Sequence, residues 1–144
     1  MALARDRDRI ARAYSTDFEE VFDFALPALN AARLSASTPE RAVTTLHMAL
    51  LAEFPDSHIV RKYGLKTAEQ VQDEAHRLRG SFVPAVDEDG FKRLLAFDAD
   101  LKSRGLNPGT TADIVVATLF AAALLHIAKP TRLRPRLTEP ERRS

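Results

Sequence analysis

The chain is 144 residues long, and its 45% hydrophobic and 28% charged content is typical of a single globular domain. Its 21 lysines and arginines against 20 aspartates and glutamates leave a formal net charge of +1, which argues against a surface that binds nucleic acid through bulk positive charge. The lack of cysteine in the sequence excludes disulfides, thiolate metal sites and cysteine nucleophiles, and it fits a reducing cytoplasm, where we expect the protein.

Neither the start of the chain nor its most apolar stretch indicates secretion or membrane insertion. Arginines alternate with aspartates near the N-terminus, where a signal peptide would have an apolar run. The longest apolar stretch, residues 114–128, contains Thr118 and His126 and is shorter than the roughly 20 residues that a bilayer span needs. We therefore interpret it as a buried core helix and expect no membrane partner.

Apolar residues recur at spacings of three and four along most of the chain, which predicts an all-α fold. The first predicted helix covers residues 10–29, and Pro27 inside this pattern predicts a kink or a break. Residues 37–40 predict the start of a second helix, with a hydroxyl N-cap, a proline in the first turn and Glu40 in a capping box. Pro55 ends that helix.

Two more helices are predicted directly after this proline. The third covers residues 57–63, with Asp56 as its N-cap and Gly64 at its end. Thr67 is predicted to cap the fourth, which ends at Gly80. Gly64 is typical of a residue that closes a helix in the left-handed conformation.

The last third of the chain contains the most apolar segment. Residues 81–88 predict a loop, and a fifth helix then ends at a left-handed C-cap, Gly105. The final helix begins at residues 110–111 and is apolar on nearly every side, so we expect about six helices packed around this apolar C-terminal helix. We divide the chain into one helical domain, residues 1–129, and a basic, mostly disordered tail, residues 130–144.

A first polar segment, EFPDSHIVRKYG, covers residues 53–64 at a helix end, a turn and a helix start. Arg61 and Lys62 could neutralise phosphates, while Glu53 and Asp56 are hard oxygen ligands that suit a magnesium ion carried by a nucleotide. The alternative is that Asp56 only caps a helix and that the cations lie on a solvated face.

A second polar segment, NPGTTAD, covers residues 107–113 and leads into the most apolar helix. Its backbone N–H groups and two hydroxyls could form an anion cradle, because the first turn of a helix has donors without intrahelical partners. Asp113 could bind a cation that bridges phosphate oxygens, or it could be an ordinary first-turn aspartate favoured by the helix dipole. The spacing matches neither a Walker motif nor a dinucleotide fingerprint.

The remaining histidines do not indicate a metal or catalytic site, and the sequence lacks the common hydrolase motifs. His47 and His126 lie in apolar helical stretches without a second ligand at i+3 or i+4, so we interpret both as packed core residues. His76 lies on a charged helix face. The sequence contains neither HExxH nor GxSxG.

Four blocks resemble, in order, the C-terminal half of the triphosphoribosyl-dephospho-CoA synthase family, which serves citrate lyase and malonate decarboxylase. The blocks are FALPALNAA at 24–32, LLAEFPDSHIVRKYG at 50–64, AEQVQDEA at 68–75 and FDADLKSRGLNPGTTADIVVATLF at 97–120. The last block is the most specific. Family members are considerably longer, and the glycine- and asparagine-containing motif of their N-terminal half has no counterpart here.

The resemblance implies an all-α transferase that joins the triphosphoribosyl group of ATP to the ribose 2′-hydroxyl of 3′-dephospho-CoA and releases adenine. Magnesium is implied as Mg-ATP. The product is implied to be a prosthetic-group precursor for an acyl carrier protein, which makes that protein a candidate partner.

Such a substitution passes through an oxocarbenium-like state that needs a base, assistance for the departing adenine and cations for the triphosphate. We expect Asp113 and Asp56, with Glu53, to act on magnesium or on the developing positive charge, and His58 to be a candidate base. Binding of the substrate phosphates is expected from Arg61 and Lys62 and from the turn residues Asn107, Gly109, Thr110 and Thr111.

A chain that supplies half of a site should expose part of the apolar face of its first helix. This predicts a homo-oligomer, or a separate chain that supplies the N-terminal half, as the partner. The alternative function is a non-catalytic nucleotide-binding or helical interaction subunit of a split enzyme. We expect no nucleic-acid partner.

Overall fold

A computed structural model of the chain describes residues 19–128, and this part contains six α-helices and no strand. The predicted all-α class with a long apolar C-terminal helix is confirmed. The start of the predicted first helix and the predicted basic tail lie outside the described residues. The helices are α1 (Leu26–Ser35), α2 (Pro39–Glu53), α3 (Ser57–Tyr63), α4 (Leu65–Arg77), α5 (Glu88–Ser103) and α6 (Gly109–Ala128).

A π-helical turn, Glu20–Ala25, precedes α1 and forms the break that Pro27 predicts. Pro27 has no N–H group, so the regular α-helical pattern cannot pass through it. The N–H of Leu26 donates to the carbonyl of Val21, five residues back, and the widened turn leads into α1 with Pro27 in its first turn.

Helix α2 begins where the sequence predicts it, with Thr38 as the N-cap. Its hydroxyl accepts a hydrogen bond from the backbone N–H of Arg41 at 3.2 Å. Because Thr38 rather than Ser37 is the cap, Arg41 and not Glu40 is the third helical residue, so the predicted capping box is wrong. The guanidinium of Arg41 instead lies 3.8 Å from the ring centroid of Phe91, which joins α2 to α5.

Helix α3 has the predicted bounds, whereas α4 both begins and ends earlier than predicted: it ends at Arg77, and Gly80 lies in a 3₁₀ turn, Arg79–Ser81. Gly64 has a φ of +95° and lies at both the end of α3 and the start of α4. This left-handed backbone lets α4 start at Leu65 without a further loop. Thr67 therefore lies inside α4, where its hydroxyl donates to the carbonyl of Tyr63 at 3.3 Å, and the prediction that it caps the helix is wrong.

Helix α2 lies at the centre of the fold, packed against α1, α4 and α6. It contributes to both apolar clusters of the core. Leu46 and Leu50 pack with residues of α1 and α6, while Met48 and Leu51 pack with residues of α3, α4 and α5. The core therefore forms around α2, and α6 covers one side of it.

Helix α6 buries one side of its first half, at Thr111, Ile114, Val115 and Thr118, and exposes most of its second half. Phe120 is 66% exposed and Ile127 is 79% exposed, and His126, predicted to be a packed core residue, is also exposed. The predicted core helix is therefore correct only for the first half. We call the large exposed apolar residues on one side of this helix the distal α6 face: Val116, Phe120, Leu124 and Ile127.

The full length of α6 also changes the membrane argument. The helix has 20 residues and is, among the described helices, the one long and apolar enough to cross a membrane by length and composition. The apolar stretch, residues 114–128, is shorter than α6 because the polar first turn also belongs to this helix. Only 22% of its apolar window is buried, and a single helix of this kind is weak evidence for a membrane span.

Helix α5 is fixed at both ends by polar contacts. At its start, the carboxylate of Asp87 accepts a hydrogen bond from the N–H of Gly90 at 2.6 Å. At its end, Arg104 binds Glu74 of α4 at 2.6 Å, and Gly105 closes the helix with a φ of +70°. The predicted C-cap at Gly105 is confirmed.

Candidate functional site

The two polar segments predicted from the sequence meet where the first turns of α3 and α6 converge. The hydroxyls of Ser57 and Thr110 lie 2.7 Å apart. The ring of His58 stands so close to Gly109 that a Cβ added there would be 3.4 Å from its Cγ. We call this region the α3–α6 junction, formed by Asp56, Ser57, His58, Gly109, Thr110 and Thr111.

Asp56 joins the two helices from inside the junction and is only 3% exposed. Its Oδ1 accepts hydrogen bonds from the backbone N–H groups of His58 and Ile59 at 2.9 and 3.1 Å. Its Oδ2 accepts from the backbone N–H and the hydroxyl of Thr111 at 2.7 and 2.8 Å. One carboxylate therefore caps α3 and also binds the first turn of α6.

This set of hydrogen bonds revises the predicted roles of two segments. Four donors occupy the lone-pair capacity of the Asp56 carboxylate, so its position is that of a structural link rather than of a group facing substrate or magnesium. The backbone N–H of Thr111, which was predicted to bind a substrate anion as part of the cradle, instead donates to the carboxylate of Asp56.

The other residues of the second segment lie toward solvent. The N–H of Gly109 donates to the carbonyl of Asn107 at 2.8 Å, which closes the turn before α6. Asn107 and Asp113 are both exposed, and Thr110 is partly exposed. Polar groups accessible to a ligand therefore remain on the outer side of the junction.

His58 and Arg61 form a pair on the outer side of α3. Nη2 of Arg61 lies 3.4 Å from Nδ1 of His58. Because a guanidinium only donates, Nδ1 is the acceptor in this contact. Use of Nδ1 as the predicted base therefore requires the pair to separate. Lys62 is exposed, with its ammonium 5.4 Å from the ring centroid of Tyr63.

The three carboxylates predicted as magnesium ligands do not come together. Glu53 and Asp113 are exposed on different helices, while Asp56 is buried between α3 and α6. Within residues 19–128, no group of three or more histidine, cysteine, aspartate or glutamate side chains could hold a metal ion. A resident magnesium site built from these three residues does not fit this arrangement, and magnesium carried as Mg-ATP stays a prediction.

An apolar groove of about 450 Å³ lies beside the junction, between α2, α5 and α6. We call it the central groove. Pro108 and Ala112, which flank the junction residues of α6, form one of its walls. Its other apolar walls include Met48, Leu51, Phe91, Leu94 and Val115. The sequence did not reveal this groove, because its walls combine residues of α2 with residues of α5 and α6, which come much later in the chain.

His47 lines the central groove and is partly buried. Burial lowers the pKa of His47 from its ordinary value of 6.5, and the negative charges of Asp56 and Asp98 oppose this shift in part. The ring is therefore neutral at pH 7. The prediction that His47 is a packed core residue is therefore wrong, because the side chain is only partly buried and lines a groove.

The lowered pKa of His47 predicts that acid destabilises the fold. Because the pKa is lower in the folded state, the unfolded state binds more protons once the pH falls below about 6.5. We expect the Tm to fall between about pH 7.5 and about pH 5.5 by more in the wild-type protein than in His47→Gln. Thermal unfolding followed by circular dichroism measures this, and equal shifts in both proteins would contradict the prediction.

A family model described as ATP:dephospho-CoA triphosphoribosyl transferase matches residues 1–132. A Vibrio cholerae serotype O1 (strain M66-2) protein named a probable 2-(5''-triphosphoribosyl)-3'-dephosphocoenzyme-A synthase is 32% identical over 111 residues, covering 76% of this chain and 34% of the relative. The synthase of that name from Pectobacterium atrosepticum is 32% identical over 104 residues, with 72% and 33% covered. The one from Klebsiella pneumoniae is 38% identical over 80 residues, with 56% and 26% covered.

The chain thus spans about a third of the length of the first two relatives. The matched part contains both polar segments of the junction, since the family match runs through residue 132. No solved structure matches the chain.

Proposed function

Because the chain belongs to the ATP:dephospho-CoA triphosphoribosyl transferase family, we propose that it supplies part of an active site that transfers the triphosphoribosyl group of ATP to 3′-dephospho-CoA. The observation that carries this proposal is the convergence of EFPDSHIVRKYG and NPGTTAD at the α3–α6 junction, where the hydroxyls of Ser57 and Thr110 are 2.7 Å apart. Both segments belong to blocks that resemble this family.

In the proposed reaction, the bond between C1′ of the ATP ribose and N9 of adenine breaks, and a bond forms between that carbon and the ribose 2′-oxygen of 3′-dephospho-CoA. The 2′-hydroxyl loses its proton to a base, and the departing adenine gains one. The product is the precursor of a prosthetic group for an acyl carrier protein. ATP enters as its magnesium complex, in the cytoplasm.

The exposed side chains of the two segments supply the chemical groups that this reaction needs. Asp113 is the exposed carboxylate of the second segment, and we propose that it serves as the base or stabilises the developing positive charge. Arg61 and Lys62 are two exposed cations for the triphosphate. Asp56 acts through its neighbours as a positioning residue, because its carboxylate holds the first turns of α3 and α6 together.

The exposure of the distal α6 face is evidence that a further polypeptide contributes to the complete enzyme. Its large apolar side chains are exposed, and exposed apolar patches of this kind mark interaction surfaces. The chain also spans about a third of the length of its relatives. We propose that the full site forms in a homo-oligomer or with a separate chain that supplies the N-terminal part of the family.

One observation favours the alternative of a non-catalytic nucleotide-binding or interaction subunit. The most deeply buried carboxylate of the junction, Asp56, is fully engaged by protein donors. Asp113 is then the main acidic candidate in the junction segments for direct action on substrate.

Adenine release tests the proposed function. We would incubate the purified chain with ATP, magnesium and 3′-dephospho-CoA and quantify free adenine by chromatography. Release should depend on 3′-dephospho-CoA and fall by about 100-fold in Asp113→Asn, as expected for loss of a general base. Asp73→Asn, which changes an exposed aspartate of α4, is the matched control and should retain full activity.

Light scattering on the same samples shows whether the active species is a monomer or an assembly. ATP binding without adenine release would favour the non-catalytic subunit. Equal adenine release by Asp113→Asn and the wild-type protein would remove Asp113 from the proposed mechanism.

A further inference from the structure

The central groove adjoins the α3–α6 junction but takes no part in the phosphate contacts proposed above. Pro108 and Ala112 line the groove, and they flank the junction residues Gly109, Thr110 and Thr111 along the chain. A ligand with one end in the groove would therefore have its other end near the junction. This is the arrangement expected for a nucleotide, which has a flat aromatic base at one end and phosphates at the other.

The size and walls of the groove suit a small aromatic ring. Its volume of about 450 Å³ lies within the range of small-molecule sites, about 300–1,000 Å³. Met48 and Phe91 contribute thioether and aromatic surface, which pack well against a heterocycle. The polar contacts of Asp87 and Arg104 fix the two ends of α5, so the wall that this helix provides has a defined position.

Three polar side chains also line the groove, and they differ in what they can offer a ligand. The hydroxyl of Thr44 donates to the carbonyl of Glu40 at 3.1 Å. Asp98 accepts from Lys102 at 2.7 Å, which leaves further acceptor capacity on its carboxylate. His47 is partly buried, and its neighbours in the sequence of α2, Leu46 and Met48, are buried core residues.

The neutral ring of His47 carries one donor and one acceptor nitrogen. The edge of adenine likewise combines acceptor ring nitrogens with a donating amino group. An imidazole can therefore donate to a ring nitrogen, while a carboxylate accepts from the amino group. Pyrophosphate and pantetheine offer no such edge.

We infer that the central groove binds the adenine ring, which ATP and 3′-dephospho-CoA share, with His47 donating to a ring nitrogen and Asp98 accepting from the amino group. The phosphates of the bound nucleotide then extend past Ala112 toward the junction and Arg61. The inference rests on the proposed function for the identity of the two nucleotides and on the groove for the site of their base.

Titration calorimetry of the purified chain with adenosine tests this inference, with tripolyphosphate and pantetheine as probes that lack adenine. Ala112→Phe introduces a large side chain at the wall of the groove. Ala117→Phe is the matched control, because Ala117 is exposed on the same helix and does not line the groove. Circular dichroism establishes that both variants are folded.

We expect adenosine to bind the wild-type protein and Ala117→Phe equally, and to bind Ala112→Phe at least tenfold more weakly. His47→Ala should weaken adenosine binding about fivefold, as expected for loss of one hydrogen bond. Titrations with ATP and with 3′-dephospho-CoA then distinguish the source of the ring. If Ala112→Phe weakens the binding of only one of these nucleotides, the groove binds the adenine of that nucleotide. If the variant weakens the binding of both, the groove accepts the adenine of both.

Three results would overturn the inference. Adenosine does not bind the wild-type protein, or it binds Ala112→Phe and Ala117→Phe equally. In the third, Ala112→Phe prevents the binding of pantetheine but not of adenosine. Adenine release with unchanged KM values in Ala112→Phe would also overturn it, while leaving the proposed function intact. Adenosine binding that Ala112→Phe abolishes, in a protein that never releases adenine, would instead support the groove and refute the transferase.

Discussion

Replacing Asp56 with alanine should lower the free energy of unfolding by about 3–5 kcal/mol. The substitution removes the acceptor for three backbone N–H groups and one hydroxyl, which belong to His58, Ile59 and Thr111. Leaving a buried donor unpaired costs about 1–3 kcal/mol, and water entering the space left by the carboxylate offsets part of the combined loss. The expected effect is large because one side chain links two helix starts.

Graded variants separate the two halves of this link. Asp56→Asn keeps an oxygen that can cap α3 but replaces the other with an amide NH₂ group, which cannot accept from Thr111, so we expect a loss of about 2 kcal/mol. Thr111→Val removes the hydroxyl alone and should cost about 1 kcal/mol. Urea denaturation of the single and double variants measures the coupling between the two residues.

Coupling between Asp56 and Thr111 is expected because the two side chains share a hydrogen bond of 2.8 Å. Strictly additive effects of the two substitutions would contradict the direct contact. A stability of Asp56→Ala within about 0.5 kcal/mol of the wild-type value would show that the carboxylate is not buried in solution.

Gly90→Ala should destabilise the protein by about 1–3 kcal/mol. A Cβ at this position would overlap the backbone carbonyl oxygen of Ser81, which is itself a buried residue. It would also stand 3.0 Å from the Asp87 carboxylate that caps α5. Alanine ordinarily stabilises a helix relative to glycine by about 1 kcal/mol, so the expected effect has the opposite sign to helix propensity.

Gly80→Ala is the matched control for this substitution. A Cβ at Gly80 meets no atom within 4 Å, and its φ is not positive, so we expect a change within about 0.5 kcal/mol. Thermal unfolding of both variants checks the pair. Equal Tm values would mean that the start of α5 does not pack against Ser81 as closely as described.

The local signals in the sequence determined most helix boundaries. Asp56 and Gly105 follow from residue type and position, because a cap bonds to backbone groups within a few residues of itself. The sequence also predicts a hydroxyl N-cap for α2, but only the structure places it at Thr38 rather than Ser37. Thr67 was misassigned as a cap, because the backbone of Gly64 already connects α3 to α4 and threonine is compatible with a helix interior as well. Pro27 predicted a break but could not specify its π-helical form.

The sequence also identified both polar segments of the candidate site, and the family-like blocks that contain them. It could not determine what Asp56 does with its second oxygen, because that oxygen binds Thr111, which is 55 residues away. Burial of the carboxylate between two helices, and therefore its structural role, depends on how α3 and α6 are placed by the core.

The central groove and the distal α6 face depend on tertiary structure for the same reason. His47 and His126 both lie in apolar stretches, yet one lines a groove and the other is exposed. Periodicity shows which residues share a helix face, but whether another helix covers that face is decided by packing around α2. The sequence alone thus determined the helices and the candidate residues, and only the tertiary structure decided which of them meet.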